Sequence, residues 1–277
     1  MPLSVVDIYR TLLPKTNCGE CGFPTCLAFA SMVVSEQHPL DGCPYIPEDR
    51  LAAAKETLRE QYAAGKWTRR DPAEDALTWA RERAASMKIE DLPERIGGEW
   101  IEEGDDRRVE LPYFTDRLVI REDGITRAGD PSAELTRWER VFVYNHLAQG
   151  GRVDPAGEWK GLEAFPNTVS KIKSMAAHVE APLVDCFSGR VADLKAAAAR
   201  IGGEDVTAEI GSADLAVRLS PLPKVPVLLL FWEAEPEDGL AATAKLLFDA
   251  TVTEHLDIES ILFMSERIRE LLCEDAP

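Results

Sequence analysis

Basic residues are scarce in this chain of 277 residues: 31 Lys and Arg stand against 49 Asp and Glu, a net charge of −18, with an isoelectric point near 4.7. A nucleic-acid binder needs a basic face for the phosphates, so DNA and RNA are excluded as partners. The acidity reads first as a solubility device, and second as a surface that would steer a basic redox partner. Long apolar runs are missing too. The longest, Val225 to Trp232, is far too short to span a bilayer as a helix. The opening Met1-Pro2-Leu3-Ser4 has no basic segment followed by an apolar core, so it does not read as a secretory signal. Together these features predict a cytoplasmic protein with no membrane insertion. Nucleotide and hydrolase signatures are absent as well: there is no G-x-G-x-x-G, no Walker loop, no H-E-x-x-H and no G-x-S-x-G elbow.

What is present is concentrated. Four of the six cysteines lie between Cys18 and Cys43, in the order C-x2-C-x4-C-x16-C-P. Four thiolates are what a [4Fe–4S] cube takes, one per iron. Gly19 and Gly22 allow the backbone dihedrals that a Cβ forbids, and Pro44 stiffens the chain after the last sulfur. The candidate cofactor and metal ligands are therefore Cys18, Cys21, Cys26 and Cys43. Two other readings stay open. A structural zinc site also uses four cysteines, usually as two C-x2-C knuckles where this chain has one. A disulfide framework needs an oxidising compartment.

The same stretch, Cys18-x-x-Cys21-Gly22-x-Pro24-x-Cys26-x-x-Phe29-Ala30 with Cys43-Pro44, resembles the small [4Fe–4S] domain of the corrinoid iron–sulfur protein large subunit. It is similar also to the cluster domain of the B subunit of Rnf-type electron-transport complexes. The resemblance covers about residues 1 to 50; it implies the cofactor and an anaerobic metabolism, and leaves the reaction open.

Around the cysteines the pattern is helical. Ser4 and Asp7 form an acidic capping box for a helix that Pro14 ends. Pro24 suits the first turn of a second helix carrying Cys26 to Val34, closed by His38 at a solvent-facing end. A third helix starts at Pro47-Glu48 and stops at Gly65. Lys66-Trp67-Thr68-Arg69-Arg70 reads as a linker, which places the boundary between residues 1–65, a helical [4Fe–4S] module, and residues 66–277.

In the second part, Asp71-Pro72 opens a helix to about Lys88 with Trp79 on its apolar side, and a short helix at Leu92 to Ile96 ends at Gly97-Gly98. Strands are predicted at Arg107 to Tyr113, Leu118 to Arg121, Asp214 to Ser220 and Val225 to Glu233, the last as a buried central strand. Helices are predicted from Asp130-Pro131 to Gly150-Gly151, at 167–178, 190–201, 239–248 and 257–272. Without regular βαβ alternation this is an α+β arrangement: a small helical module followed by a larger mixed α/β domain. Gly157-Glu158-Trp159, Leu222 to Val227 and Lys245 to Asp249 resemble the domain-of-unknown-function family 3786, over about residues 70 to 275, a family without an established activity.

The remaining histidines, cysteines and clustered acids have ordinary readings. His146, His178 and His255 read as packed or surface histidines before they read as ligands. Cys186 and Cys273 read as singletons and inert thiols, with a reactive Cys186 as the alternative. Glu233, Glu235, Glu237 and Asp238 follow the central strand and are the candidate functional spot of the second domain if strand ends are used as in α/β sheets, against a plain solvated loop.

The function expected is a low-potential one-electron carrier or reductive activator, an accessory protein rather than an enzyme. Its partner would be a redox protein, and the corrinoid resemblance points to a corrinoid protein or methyltransferase whose Co(II) it would return to Co(I). The alternatives are a redox enzyme whose second domain binds a corrinoid, flavin or substrate, and a zinc-stapled interaction protein. No D-x-H-x-x-G corrinoid signature is present, so a bound corrinoid would lack that ligand.

Overall fold

The structure, a computed structural model, describes residues 3–35, 38–63 and 72–274. It divides into two compact units, Met1–Asp75 and Ala76–Pro277. The boundary expected at 65/66, the Gly65 stop, the 66–70 linker and the Asp71 start all lie outside the described residues.

The first unit is three helices. α1 (Val5–Thr11) is held by a complete capping box between Ser4 and Asp7. α2 (Cys26–Val34) begins one residue after its cap, Thr25, whose hydroxyl accepts from the Ala28 N–H at 3.1 Å. Pro24 therefore precedes the cap and is outside the first turn, where its fixed φ sets the entry of the chain. A 3₁₀ turn at Leu40–Gly42 leads to α3 (Glu48–Ala63). Ile8, Leu13, Phe29, Ala30, Val33 and Leu58 bury their side chains in one core. Buried Gln61 exchanges hydrogen bonds with the Leu3 backbone and ties α3 to the start of the chain.

The second unit is mixed α+β with two antiparallel sheets. α4 (Pro72–Ala85) and α5 (Leu92–Ile96) precede a meander of β1 (Glu99–Glu103), β2 (Asp106–Tyr113), β3 (Asp116–Arg121) and β4 (Gly124–Arg127). Trp79 on α4 is exposed, with the Arg83 guanidinium 4.8 Å over its ring, so it is not the inward residue expected. α6 (Arg137–Gln149) starts at the Thr136 cap and not at Asp130, because Thr136 and Glu139 complete a capping box there.

After β5 (Trp159–Gly161), α7 (Val169–Met175) runs through one π turn at Ala176–Glu180 into α8 (Ala181–Phe187). The wide turn lets the helix continue past the sequence expectation at 178 and carry Pro182, whose missing N–H would break a regular ladder. α9 (Val191–Arg200), β6 (Glu204–Asp205), α10 (Thr207–Ile210), β7 (Leu215–Leu222), β8 (Val225–Trp232), β9 (Thr243–Asp249), α11 (Val252–His255) and α12 (Ile258–Cys273) complete it.

The five-stranded order is β5-β9-β8-β7-β6, so β8 is the central strand. Val227, Leu229 and Phe231 enter the main core, while Leu228 and Leu230 pack on the other face with Val206 and Ala216. Burial on both faces is why this segment is a continuous apolar run. The helix expected at 239–248 is instead β9, paired with β8 in the register Leu229↔Leu246 and Val227↔Phe248. The apolar sides of α6, α7, α8, α9 and α12 cover the inner face of this sheet. The Phe114 N–H donates to the Pro221 carbonyl at 3.2 Å, joining β2 of one sheet to β7 of the other.

Candidate metal centre

The loop between α1 and α2 is shaped by its backbone. Lys15, Asn17, Gly19 and Gly22 all have left-handed φ, at 65°, 51°, 78° and 83°. Asn is among the few non-glycine residues that adopt this region readily. Here its side chain makes use of it: Asn17 Oδ1 accepts from the Cys26 N–H at 2.8 Å, pinning the first helical residue to the start of the loop. The Gly22 N–H donates to the Gly19 carbonyl at 2.8 Å and closes a turn between the first two cysteines. A Cβ built on either glycine would meet nothing within 4 Å, so it is the left-handed φ and not crowding that calls for glycine at both.

The four cysteines sit at graded depth: Cys18 exposed, Cys21 half-buried, Cys26 and Cys43 buried. Cys26 is the first residue of α2. Cys43 follows the 3₁₀ turn. Burial raises its pKa, an N–H from Tyr45 opposes that, and the charges of Cys21, Cys26 and Cys18 raise it further. The charges of the other three cysteines all bear on Cys43. Four thiolates drawn together would repel one another and need a cation to hold them ionised. Among the described residues, no group of three or more His, Cys, Asp or Glu side chains is set to grip a single metal ion.

Two supports escaped sequence reading. Tyr45 donates its hydroxyl to Glu20 Oε1 at 2.6 Å, clasping the Cys43-Pro44 segment to the loop between Cys18 and Cys21. That bond to Glu20 raises the Tyr45 pKa. Asn17 left no signal in the sequence beyond its place directly before Cys18. His38 is half-buried and not a solvent-facing helix end. Its ring meets Phe23 edge-on at 5.2 Å and Phe29 at 5.5 Å, and Nδ1 lies 3.1 Å from the Pro39 carbonyl. A Cβ on Gly42 would lie 2.3 Å from the His38 ring, so the ring keeps this position only against a glycine.

In the second unit the histidines have structural surroundings. His146 is buried, with Nδ1 at 3.2 Å from the His255 carbonyl, and burial lowers its pKa to about 4. His255 Nε2 is 2.9 Å from the Val153 carbonyl, and His178 Nδ1 is 3.2 Å from Glu266 on the surface. Glu233 accepts from the Gly189 and Val191 N–H groups at 2.8 and 3.3 Å, so it caps α9. Glu235 pairs with Leu240 in a tight exposed loop holding Glu237 and Asp238. In an antiparallel sheet the carboxyl ends of strands share no common edge, which removes the reason for expecting a site there. Cys186 and Cys273, near the ends of α8 and α12, are free, half-buried thiols packed against the main core.

Among the described residues, no helix is long and apolar enough to cross a membrane. Residues 13–45 match the family described as "Putative Fe-S cluster". The corrinoid/iron-sulfur protein large subunit of Moorella thermoacetica is 53% identical over 58 residues, 21% of this chain and 12% of that protein. Subunit gamma of the acetyl-CoA decarbonylase/synthase complex of Methanocaldococcus jannaschii is 40% identical over 58 residues, 21% of this chain and 12% of the subunit. Subunit gamma 1 of the same complex from Methanosarcina thermophila is 46% identical over 52 residues, 19% and 11% of the two chains. The chain thus spans about an eighth of the length of these relatives. No solved structure matches. Residues 88–270, more than half of the chain, match the domain of unknown function DUF3786. An iron–sulfur cluster domain like that of the corrinoid/iron-sulfur large subunit is here followed by a second domain, and by that second domain the chain belongs to the DUF3786 family.

Proposed function

We propose that Cys18, Cys21, Cys26 and Cys43 hold one [4Fe–4S] cluster, and that the protein is a low-potential one-electron carrier or reductive activator. The observation that carries the reading is the C-x2-C-x4-C-x16-C-P spacing, in a segment that matches an iron–sulfur cluster family over residues 13–45 and is 53% identical over 58 residues to a corrinoid/iron-sulfur subunit. A cube bound there would supply single-electron chemistry.

The chain's own part is to hold four sulfurs ionised and to set the cost of added charge. Asn17 fixes the Cys26 end of the loop, and Tyr45 and Glu20 fix the Cys43 end. A net charge of −18 disfavours further negative charge, which supports a potential in the lower part of the roughly −700 to +450 mV span of such centres. Exposed Cys18 is the natural point for an electron to enter or leave.

The name of one relative, a corrinoid/iron-sulfur protein subunit, supports a corrinoid partner; a corrinoid protein or methyltransferase whose Co(II) is returned to Co(I) is the finer form of the proposal. Residues 66–277 would dock that partner, and the boundary at 65/66 is part of the same proposal. The test is electron transfer from the anaerobically reduced full-length protein to a purified Co(II) corrinoid protein, followed by the optical change to Co(I). Fast transfer that slows with added salt supports the reading. No transfer to any corrinoid protein removes the partner. A second chromophore extracted from the same preparation would favour a ligand-binding redox enzyme.

A further inference from the structure

Two hollows of about 550 and 370 Å³ occur in the second unit, and Arg81, Gly124 and Tyr144 line both. The larger has an apolar floor. Met87 and Ile89 come from the connection between α4 and α5, Leu92 opens α5, Ile120 belongs to β3 and Leu147 to α6. Met87 is half-buried and the other four are buried. A hollow of this size, apolar below and with few polar groups at its mouth, is the common form of a small-molecule site. We propose that it binds a small monocarboxylate with an apolar body, the carboxylate held by Arg81 and Tyr144 and the body laid on the floor. The proposal does not rest on the cluster reading.

Arg81 is the group that calls for an anion. The chain has 49 acidic residues, yet among the described residues this guanidinium has no ion pair and no hydrogen bond. Its one described contact is the Tyr144 ring, whose centroid is 5.6 Å from the guanidinium carbon. A guanidinium stacked on a ring keeps its N–H donors free in its own plane, in the fork that fits a carboxylate. The Tyr144 hydroxyl likewise has no partner among the described residues. The other arginines of the walls are already taken. Arg121 donates to Asp106 at 2.9 and 3.1 Å, and Arg140 to Glu134 at 2.8 Å.

The acids of the rim set the charge of the ligand. Glu90, Glu122 and Asp123 also line the larger hollow, and all three are exposed. One carboxylate on the ligand is met by Arg81, with Lys88 as a second cation of the rim. A further negative charge faces three like charges, so a dianion is selected against. A neutral ligand of the same shape gains only the burial of its apolar body and leaves the guanidinium unpaired.

Octanoate is the probe, titrated into the full-length protein carrying isotope-labelled methionine methyl groups. Met87 lines the hollow, whereas Met175 and Met264 are buried in the main core. Expected is a saturable shift of the Met87 methyl resonance with those of Met175 and Met264 unmoved. Octanamide, uncharged and of equal length, should bind about tenfold more weakly, since it loses a charge-assisted bond. Octanedioate, with its second carboxylate, should also bind more weakly than octanoate. Arg81→Gln should bring octanoate down to the level of octanamide, about tenfold, and Tyr144→Phe should weaken it about threefold. Unchanged Met175 and Met264 resonances in the variants report an intact core. No saturable shift at Met87 overturns the proposal, as does equal affinity for octanoate and octanamide, or wild-type affinity in Arg81→Gln. So does a parallel shift of all the methionine methyls, the mark of a detergent-like effect. The comparison of octanoate with octanamide on the wild type decides alone if a variant fails to fold.

Discussion

Asn17→Ala tests whether the loop backbone is what holds the four sulfurs together. The change removes two things that can be costed. The hydrogen bond from the Cys26 N–H to Asn17 Oδ1, at 2.8 Å, is half-buried, and its loss costs about 0.5–1.5 kcal/mol. The left-handed φ of 51° then falls on an alanine, which adds about 1 kcal/mol because its Cβ crowds the backbone there. The sum is about 2 kcal/mol. Asn17→Gly loses the same hydrogen bond but accepts the φ, so it should cost about 1 kcal/mol. If iron leaves through local opening of this loop, 2 kcal/mol corresponds to about a 30-fold faster release to a chelator, and 1 kcal/mol to about fivefold. The assay is anaerobic iron release to a coloured chelator from wild type and both variants. Equal rates in all three would refute the loop argument. Equal rates in the two variants, both faster than wild type, would leave the hydrogen bond and remove the strain.

Glu139 is buried and accepts from Tyr113, Arg127, Arg267 and the Thr136 N–H. Glu139→Ala should therefore cost about 3–5 kcal/mol in urea unfolding by stranding two guanidinium groups. His146 is fully buried with a pKa lowered to about 4. Its folded value lies below the unfolded one, so its contribution is complete above about pH 6.5 and is lost as the pH falls towards 4. The size is about 3 kcal/mol, and His146→Gln should flatten that part of the stability–pH curve measured by urea titration. Asp249 accepts from the N–H groups of Ala156, Gly157 and Thr251; these bonds outweigh burial and lower its pKa. Its contribution is present above the unfolded carboxylate range and falls away in more acid solution, so Asp249→Asn should be less stable at pH 7 and lose less on acidification. Gly42→Ala should displace His38 from Phe23 and Phe29 and cost about 1–3 kcal/mol, visible as a shift of the His38 ring resonances.

The parts of this molecule that were legible in sequence are those fixed by local chemistry. The Cys18 to Cys43 segment was readable because thiolate ligation dictates residue type and short spacing, and Ser4 with Asp7 because a capping box closes within one turn. β8 was readable because both of its faces are buried. Residues 239–248 were misread because Leu, Ala and Lys favour a helix in isolation, whereas β8 offers an unpaired edge that residues 243–249 fill with alternate side chains buried. β1 and β4 carry charges on short exposed strands and give little periodic signal. Asn17 and Tyr45 serve the candidate centre through single long-range or backbone-directed bonds, which leave no pattern to read.

Metal and sulfide analysis of protein made without air, joined to low-temperature paramagnetic resonance of its reduced form, bears most directly on the claim that the four sulfurs hold a cube. The account predicts about four iron and four labile sulfide per chain, with a signal that appears on reduction and disappears in Cys43→Ser. Zinc at about one per chain, with neither iron nor sulfide, would contradict it.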